Sequence, residues 1–243
     1  MENTVKPQNL YVLVMNNLTH AISHSDFETV KNINMAFIDK TDQWDSVLRQ
    51  STHSTPEILD WLLENGMKTN NPAYLVSYCA EDGKPECLTY LANRGFNLNA
   101  KQDDGEYPLL TAAMAGRADN IEILLKNGVE PKDQKALLGA INNGHLEATK
   151  ILVEHGADPT KNNDNALYQA ISWGHGEIID FLVAEHKMPV SKETREWLAS
   201  DDSEHVGVIH VKKLLEKRDL FEKLTEKSQR LPQTQQKKQI LKL

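Results

Sequence analysis

The chain has 243 residues, of which 40% are apolar and 26% charged. That is enough apolar material for a core needing neither disulfides nor a structural metal, and too much for wholesale disorder. A net charge of -8 argues against a protein that coats nucleic acid along its whole length, so any basic site is local. Cys79 and Cys87 form no disulfide framework and fit a reducing, cytoplasmic setting. The longest apolar run near the start, Leu10 to Met15, falls short of the roughly 7 residues of a signal-peptide core and the ~18 of a membrane span. Neither export by that route nor a membrane partner is expected.

In chain order, the segment from Leu18 to Lys31 reads as two helical pieces broken at Ser25. A set of superimposable segments follows. These are Asp60-Trp-Leu-Leu-Glu-Asn-Gly66, Thr89-Tyr-Leu-Ala-Asn-Arg-Gly95, Glu122-Ile-Leu-Leu-Lys-Asn-Gly128 and Lys150-Ile-Leu-Val-Glu-His-Gly156, with Asp180-Phe-Leu-Val-Ala-Glu-His186 as a degenerate fifth. Their leucines, Leu62, Leu91, Leu124, Leu152 and Leu182, are separated by 29, 33, 28 and 30 residues. Upstream of three of them stands a second apolar stretch with small residues that stops at glycine, ending at Gly116, Gly144 and Gly174. In the run from His145, apolar residues at 146, 148, 151 and 152 give a helix with one buried side. The expectation is two helices per repeat of ~30 residues. Beyond the repeats, Ser191 is placed to cap a helix through Ala199, and Val208, Val211, Leu214 and Leu215 mark another.

The segments Asp104-Gly-Glu-Tyr-Pro-Leu-Leu-Thr-Ala-Ala-Met-Ala-Gly116 and Asn143-Gly-His-Leu-Glu-Ala-Thr-Lys-Ile-Leu-Val-Glu-His-Gly-Ala-Asp158 resemble the ankyrin repeat family, the second down to its Gly-Ala-Asp ending. The resemblance implies an all-α, ankyrin-repeat solenoid of about six to seven helix-turn-helix repeats with divergent capping repeats. Residues 1–43 would form the divergent N-terminal helices, 44–190 the repeats, 191–229 the C-terminal capping helices and 230–243 a flexible basic tail. Terminal copies drift because an end face must become polar. Ser25 stands where the first copy would have its glycine. The family's Thr-Pro-Leu-His start survives only as Tyr107-Pro-Leu-Leu110, so the projecting turns are expected to be irregular.

The family's geometry implies a partner surface on the concave side, made by the turns and the first helices. There the two residues before each first-helix glycine would face the groove: Ser23 and His24, Thr52 and His53, Glu81 and Asp82, Met114 and Ala115, Asn142 and Asn143, Ser172 and Trp173. The turn before the best copy adds Asp103, Asp104, Glu106 and Tyr107. Trp173 leads the candidates, since tryptophan is enriched at binding hot spots; the competing reading packs it on a neighbouring repeat. Trp61 and Trp197 read as structural, the latter in the cap core, and Trp44 fits either role.

Little points to chemistry. There is no phosphate loop, no Gly-x-Ser-x-Gly and no His-Glu-x-x-His, so no enzyme is expected. Carboxylate pairs at Asp103/Asp104 and Asp201/Asp202 read as solvated turns. His24 and His53 occupy equivalent places in adjacent copies, but helices pack ~8–10 Å apart while zinc ligands lie about 2.0–2.1 Å from the metal. No metal or cofactor is expected. His145 and His175 read as helix-start packing residues, and the two cysteines as buried small hydrophobes.

Charge divides unevenly. Residues 207–243 hold ten Lys/Arg against four Asp/Glu, a net of +6, which leaves 1–206 at -14. The first functional expectation is therefore a non-enzymatic scaffold or inhibitor that takes a protein partner with a basic surface in its acidic groove. The second is a basic C-terminal helix and tail that contact nucleic acid or an acidic partner. A viral or bacterial effector acting in a host cytoplasm is a further reading of such a stack.

Overall fold

The computed structural model describes residues 7–33, 44–69, 71–131, 134–201 and 203–229. Among them are fourteen α-helices, one π-helical turn and no strand, the all-α architecture the repeat implies. The chain divides into two compact units, residues 1–157 and 158–243.

The first unit is a two-row stack of helix pairs. One row holds the first helix of each pair: α1 (Pro7–Ser23), α3 (Trp44–Ser51), α5 (Pro72–Glu81), α7 (Pro108–Met114) and α9 (Gln134–Asn142). The other holds the second: α2 (Phe27–Lys31), α4 (Pro56–Glu64), α6 (Pro85–Asn93), α8 (Ala118–Lys126) and α10 (Leu146–Glu154). Each helix packs on the next of its own row and on its partner. Five of them, α1 and α4 to α7, open on proline, whose fixed φ and missing N–H suit the first helical position.

The second helices of four copies end identically. In α8 the Gly128 N–H donates to the Leu125 carbonyl and the Val129 N–H to the Leu124 carbonyl, a Schellman closure with Gly128 at φ 83°. The same pair of bonds recurs around Gly66, Gly95 and Gly156. It satisfies carbonyls that the helix end would orphan. The repeat leucines Leu62, Leu91, Leu124 and Leu152 are all fully buried, so the spacing read from the sequence is the period of the core.

Other contacts lock neighbouring copies. Asn120 at the start of α8 is buried, and its Nδ2 donates to the carbonyls of Cys79, Ala80 and Gly83 at 3.0–3.2 Å, closing the end of α5. His145, the N-cap residue of α10, shares a hydrogen bond through Nε2 with the Met114 carbonyl at 3.1 Å, and its ring fills the space a Cβ on Gly116 would need. Lys84 N–H donates to Thr52 O at 2.9 Å.

The second unit comprises α11 (Lys161–Trp173), α12 (Gly176–Asp180), a π turn (Phe181–Glu185), α13 (Lys192–Ser200) and α14 (Val206–Gln229). Its repeat leucine, Leu182, is also fully buried. The helix that carries it ends differently. His186 N–H donates to Phe181 O and Met188 N–H to Leu182 O, one residue longer than in the other copies. The segment Leu182 to Met188 carries one residue more than Leu152 to Ala157, and the π turn absorbs it. Lys187, at φ 54°, takes the left-handed position that glycine fills elsewhere, as Ser25 does in the first copy at φ 54°.

Ser191 caps α13 as the sequence suggests, accepting from Thr194 N–H at 3.1 Å. The last helix is described to Gln229, fourteen residues past Leu215. Gly207 brings it onto α11: a Cβ there would lie 2.3 Å from the Ile171 carbonyl oxygen. Arg195 bridges to Asp219 at 3.0 Å, and His210 Nε2 meets Asp180 Oδ1 at 2.9 Å. The tail 230–243 and Asp202 lie outside the described residues.

Candidate functional site

In the first unit, α7 buries Leu109 to Ala113 and leaves Met114 at its end 44% exposed. Gly139 in α9 makes room for that side chain, since a Cβ there would sit 2.8 Å from Met114 Cγ. Thr111 Oγ1 donates to the Ser77 carbonyl at 3.4 Å and ties α7 to α5. Around this floor lies an open cavity of about 230 Å³ lined by Glu81, Glu106, Thr111, Met114, Ala115 and Asn143. Five residues chosen from sequence, Glu81, Glu106, Met114, Ala115 and Asn143, thus meet at one place.

The preceding turn supplies the acidic rim. Gln102 N–H donates to Glu106 O at 2.7 Å, Glu106 N–H to Asp104 Oδ1 at 2.9 Å, and Gly105 turns the chain at φ 84°. Asp103 and Asp104 project into solvent, while Tyr107 is half-buried at the head of α7. Tyr74 on α5 lies beside this rim. Partial burial, and then the charges of Asp103 and Asp104, push its hydroxyl above the usual range.

His53 and Asp82 belong to the stack's own bonding. His53 Nε2 meets Asp82 Oδ2 at 2.7 Å, and Arg117 donates to Asp82 Oδ1 at 2.6 Å and to the Glu81 carbonyl at 2.8 Å. The His53 hydrogen bond, reinforced by the charges of His53 and Arg117, holds the Asp82 carboxyl below the usual 3.8. These residues remain at the surface, but much of their hydrogen-bonding capacity joins three successive copies. Thr52, expected in the groove, is instead fully buried, because its hydroxyl returns to Arg49 O and its carbonyl accepts from Lys84. Asn142 and Asn143 are exposed at the end of α9, Asn143 Nδ2 donating to Gly139 O.

The second unit places Ser172 and Trp173 in solvent at the end of α11, Trp173 at 62% exposure, which overturns the packing alternative within that unit. Trp197 does not sit in the cap core: it is half-buried, its ring 5.2 Å from that of the exposed Tyr168. Trp44 begins α3 and is buried, whereas Trp61 is half-buried beside Leu62.

Reactive chemistry finds little support at these positions. Burial pushes the Cys79 thiol well up and the Cys87 thiol to about 11, so both stay protonated and poorly nucleophilic. His24 Nδ1 is engaged with the His20 carbonyl and His53 Nε2 with Asp82, which commits the two histidines to separate partners. Among the described residues no helix is long and apolar enough to cross a membrane. What the exposed carboxylates and amides do offer is charge-assisted hydrogen bonding to cationic donors.

A stack of short helix pairs whose second helices close on glycine is the architecture of a helical repeat module. The family profile described as "Ankyrin repeats (3 copies)" matches residues 48–135 and 129–193, more than half of the chain, and the chain belongs to the ankyrin repeat family. Ankyrin repeats are generally protein–protein interaction modules and typically non-catalytic. The chain is 32% identical over 128 residues to the ankyrin repeat and KH domain-containing protein mask of Drosophila melanogaster, covering 46% of this chain and 3% of that protein. It is 32% identical over 99 residues to human ankyrin repeat domain-containing protein 63, covering 35% and 26%. To ankyrin repeat domain-containing protein oryK of Aspergillus oryzae it is 26% identical over 106 residues, covering 43% and 17%. It therefore spans about a quarter or less of the length of these relatives.

Proposed function

We propose that the chain is a non-enzymatic scaffold or inhibitor that captures a basic segment of a protein partner on the acidic first-helix face of its stack. The observation that carries this reading is the open cavity between Glu81 and Glu106, floored by the exposed Met114. A methionine floor packs against an aliphatic stem while the carboxylates accept from the cationic head, which suits lysine or arginine. Asp103 and Asp104 on the rim add long-range attraction for the same partner. Trp173, exposed in the second unit, is a further candidate contact.

In the same reading residues 1–43 and 191–229 act as caps, and the protein works in a reducing compartment, where Cys79 and Cys87 stay as thiols. Host cytoplasm is one such setting. The test is affinity capture with the wild type, repeated with Asp104→Lys and with Trp173→Ala. Loss of the same captured protein in both variants, and weaker capture as salt rises, is expected. Capture unaffected by Asp104→Lys and by salt overturns the acidic-face reading. A turnover of a small substrate abolished by one point mutation would overturn the non-enzymatic one.

A further inference from the structure

We propose that the C-terminal part of the second unit carries another docking surface, a groove that takes an acidic amphipathic helix of a partner protein. The inference stands apart from the first-helix face and does not depend on it. The buried side of α14 is made by Val208, Val211 and Leu215. Past that point Leu220, Phe221 and Leu224 are 58%, 69% and 57% exposed, a cluster of large apolar side chains on one stretch of helix. A contiguous cluster of large exposed apolar side chains of this kind marks a surface for interaction.

The cluster is not a convex knob. Leu214, Leu220, Phe221 and Leu224 form one wall of a groove of about 870 Å³, and Val183, Pro189 and Val190 form the other. The stretch from Leu214 to Leu224 spans roughly 15 Å at ~1.5 Å per residue, the length of two to three helical turns. Apolar anchors at i, i+3, i+4 and i+7 of a docked helix would fill such a trench.

Charge selects the occupant. Lys187, Arg195, Lys217 and Arg218 line the groove against Glu222 alone. Arg195 is occupied by Asp219, and Arg218 donates to the Met188 carbonyl at 3.0 Å, which fixes both in place. Lys187 and Lys217 are exposed and have no such partner among the described residues. An acidic flank on the incoming helix would supply it. The chain's own residues 230–243 carry Arg230, Lys237, Lys238 and Lys242 and no acid, so they repeat the rim's sign and are disfavoured there. Nucleic acid would match a track of cations, but it makes little use of an aliphatic floor. A bilayer would match a continuous apolar helix face rather than a trench between two walls.

The probe is a displayed library of 16-residue peptides, with Leu, Ile, Met or Phe at i, i+3, i+4 and i+7 and Glu, Asp, Gln, Ser, Ala or Lys elsewhere. It is selected on the full chain and counter-selected on Phe221→Glu. Enrichment of acidic peptides is expected, with binding weakened at least tenfold by Phe221→Glu and severalfold by Lys187→Glu with Lys217→Glu, and falling with salt. Phe221 is exposed enough for its variant to fold, which circular dichroism checks, and Ile209→Glu, outside the groove, should bind as the wild type does. Four results would overturn the proposal: no enrichment against the counter-selected variant; enrichment of lysine-rich peptides; binding of an RNA oligomer or of phosphatidylserine vesicles with no peptide bound; and tighter peptide binding on deleting 230–243, or a Phe221-dependent dimer, either of which names the chain itself as occupant. Glu81→Lys should leave peptide binding unchanged, so this surface and the acidic face can fail separately.

Discussion

The two units are built on the same repeat and end their helices differently. In the first, four second helices close on glycine with the same pair of bonds, and five residues separate each buried leucine from the residue that seals the helix end. In the second, six residues do so, a π turn takes up the extra one, and Lys187 adopts the backbone conformation that glycine holds elsewhere. The helix frame therefore tolerates an insertion without moving Leu182 out of the core. The regular unit places Glu81 and Glu106 at the cavity beside Met114, whereas the irregular one ends in a long basic helix with apolar residues in solvent.

The contrast is sharpened most by Gly207→Ala. A methyl group 2.3 Å from a helix carbonyl forces α14 off α11, and a loss of about 3 kcal/mol is expected. Hydrogen exchange should show the loss in residues 158–229, with α5 to α8 still protected. Equal loss of protection in both units would break the comparison.

Asn120→Ala is the counterpart in the regular unit. It leaves the carbonyls of Cys79, Ala80 and Gly83 without that donor, and urea denaturation should report a loss of about 2–3 kcal/mol. Replacing the non-glycine residues at φ 54° works the other way. Lys187→Gly should stabilise by about 0.5–1 kcal/mol, while Ser25→Gly should gain less, because Ser25 Oγ accepts a hydrogen bond from Ser54. Thermal melting checks both.

The smallest effect belongs to Asp82. Its carboxyl is held below 3.8 in the folded chain, so its contribution is present above the unfolded value and lost as pH falls through the lowered one. With solvent screening this exposed pair, the wild type should exceed Asp82→Asn by about 0.5 kcal/mol at pH 7 and by nothing near pH 2. Urea midpoints at the two pH values measure it. A difference that persists at low pH would assign the effect to packing.

Much of this organisation was legible beforehand because a repeat announces its core twice over. Leucines recur at the period, and glycine stands where the backbone must turn left-handed. The missing glycine at Ser25 was readable for the same reason. What escaped has physical causes too. Asn120 looks like any helix-start polar residue until three carbonyls of another copy surround it. The His53–Asp82 contact has a usable signal in the sequence, since residues 29 apart fall in equivalent places of adjacent copies. The net positive charge of 207–243 masks the apolar wall of α14, although Leu220, Phe221 and Leu224 follow its core positions directly. Trp197 is only half-buried because its neighbour on α11 is the exposed Tyr168, which residue type does not reveal.

The central claim is that carboxylates around Met114 receive a basic partner. It is tested most directly by the dissociation constant of the captured partner for the wild type and for Glu81→Lys with Glu106→Lys, measured from 50 to 500 mM salt. The account predicts a loss of at least tenfold at low salt and a flatter salt dependence for the variant. Equal affinities with parallel salt curves would contradict it.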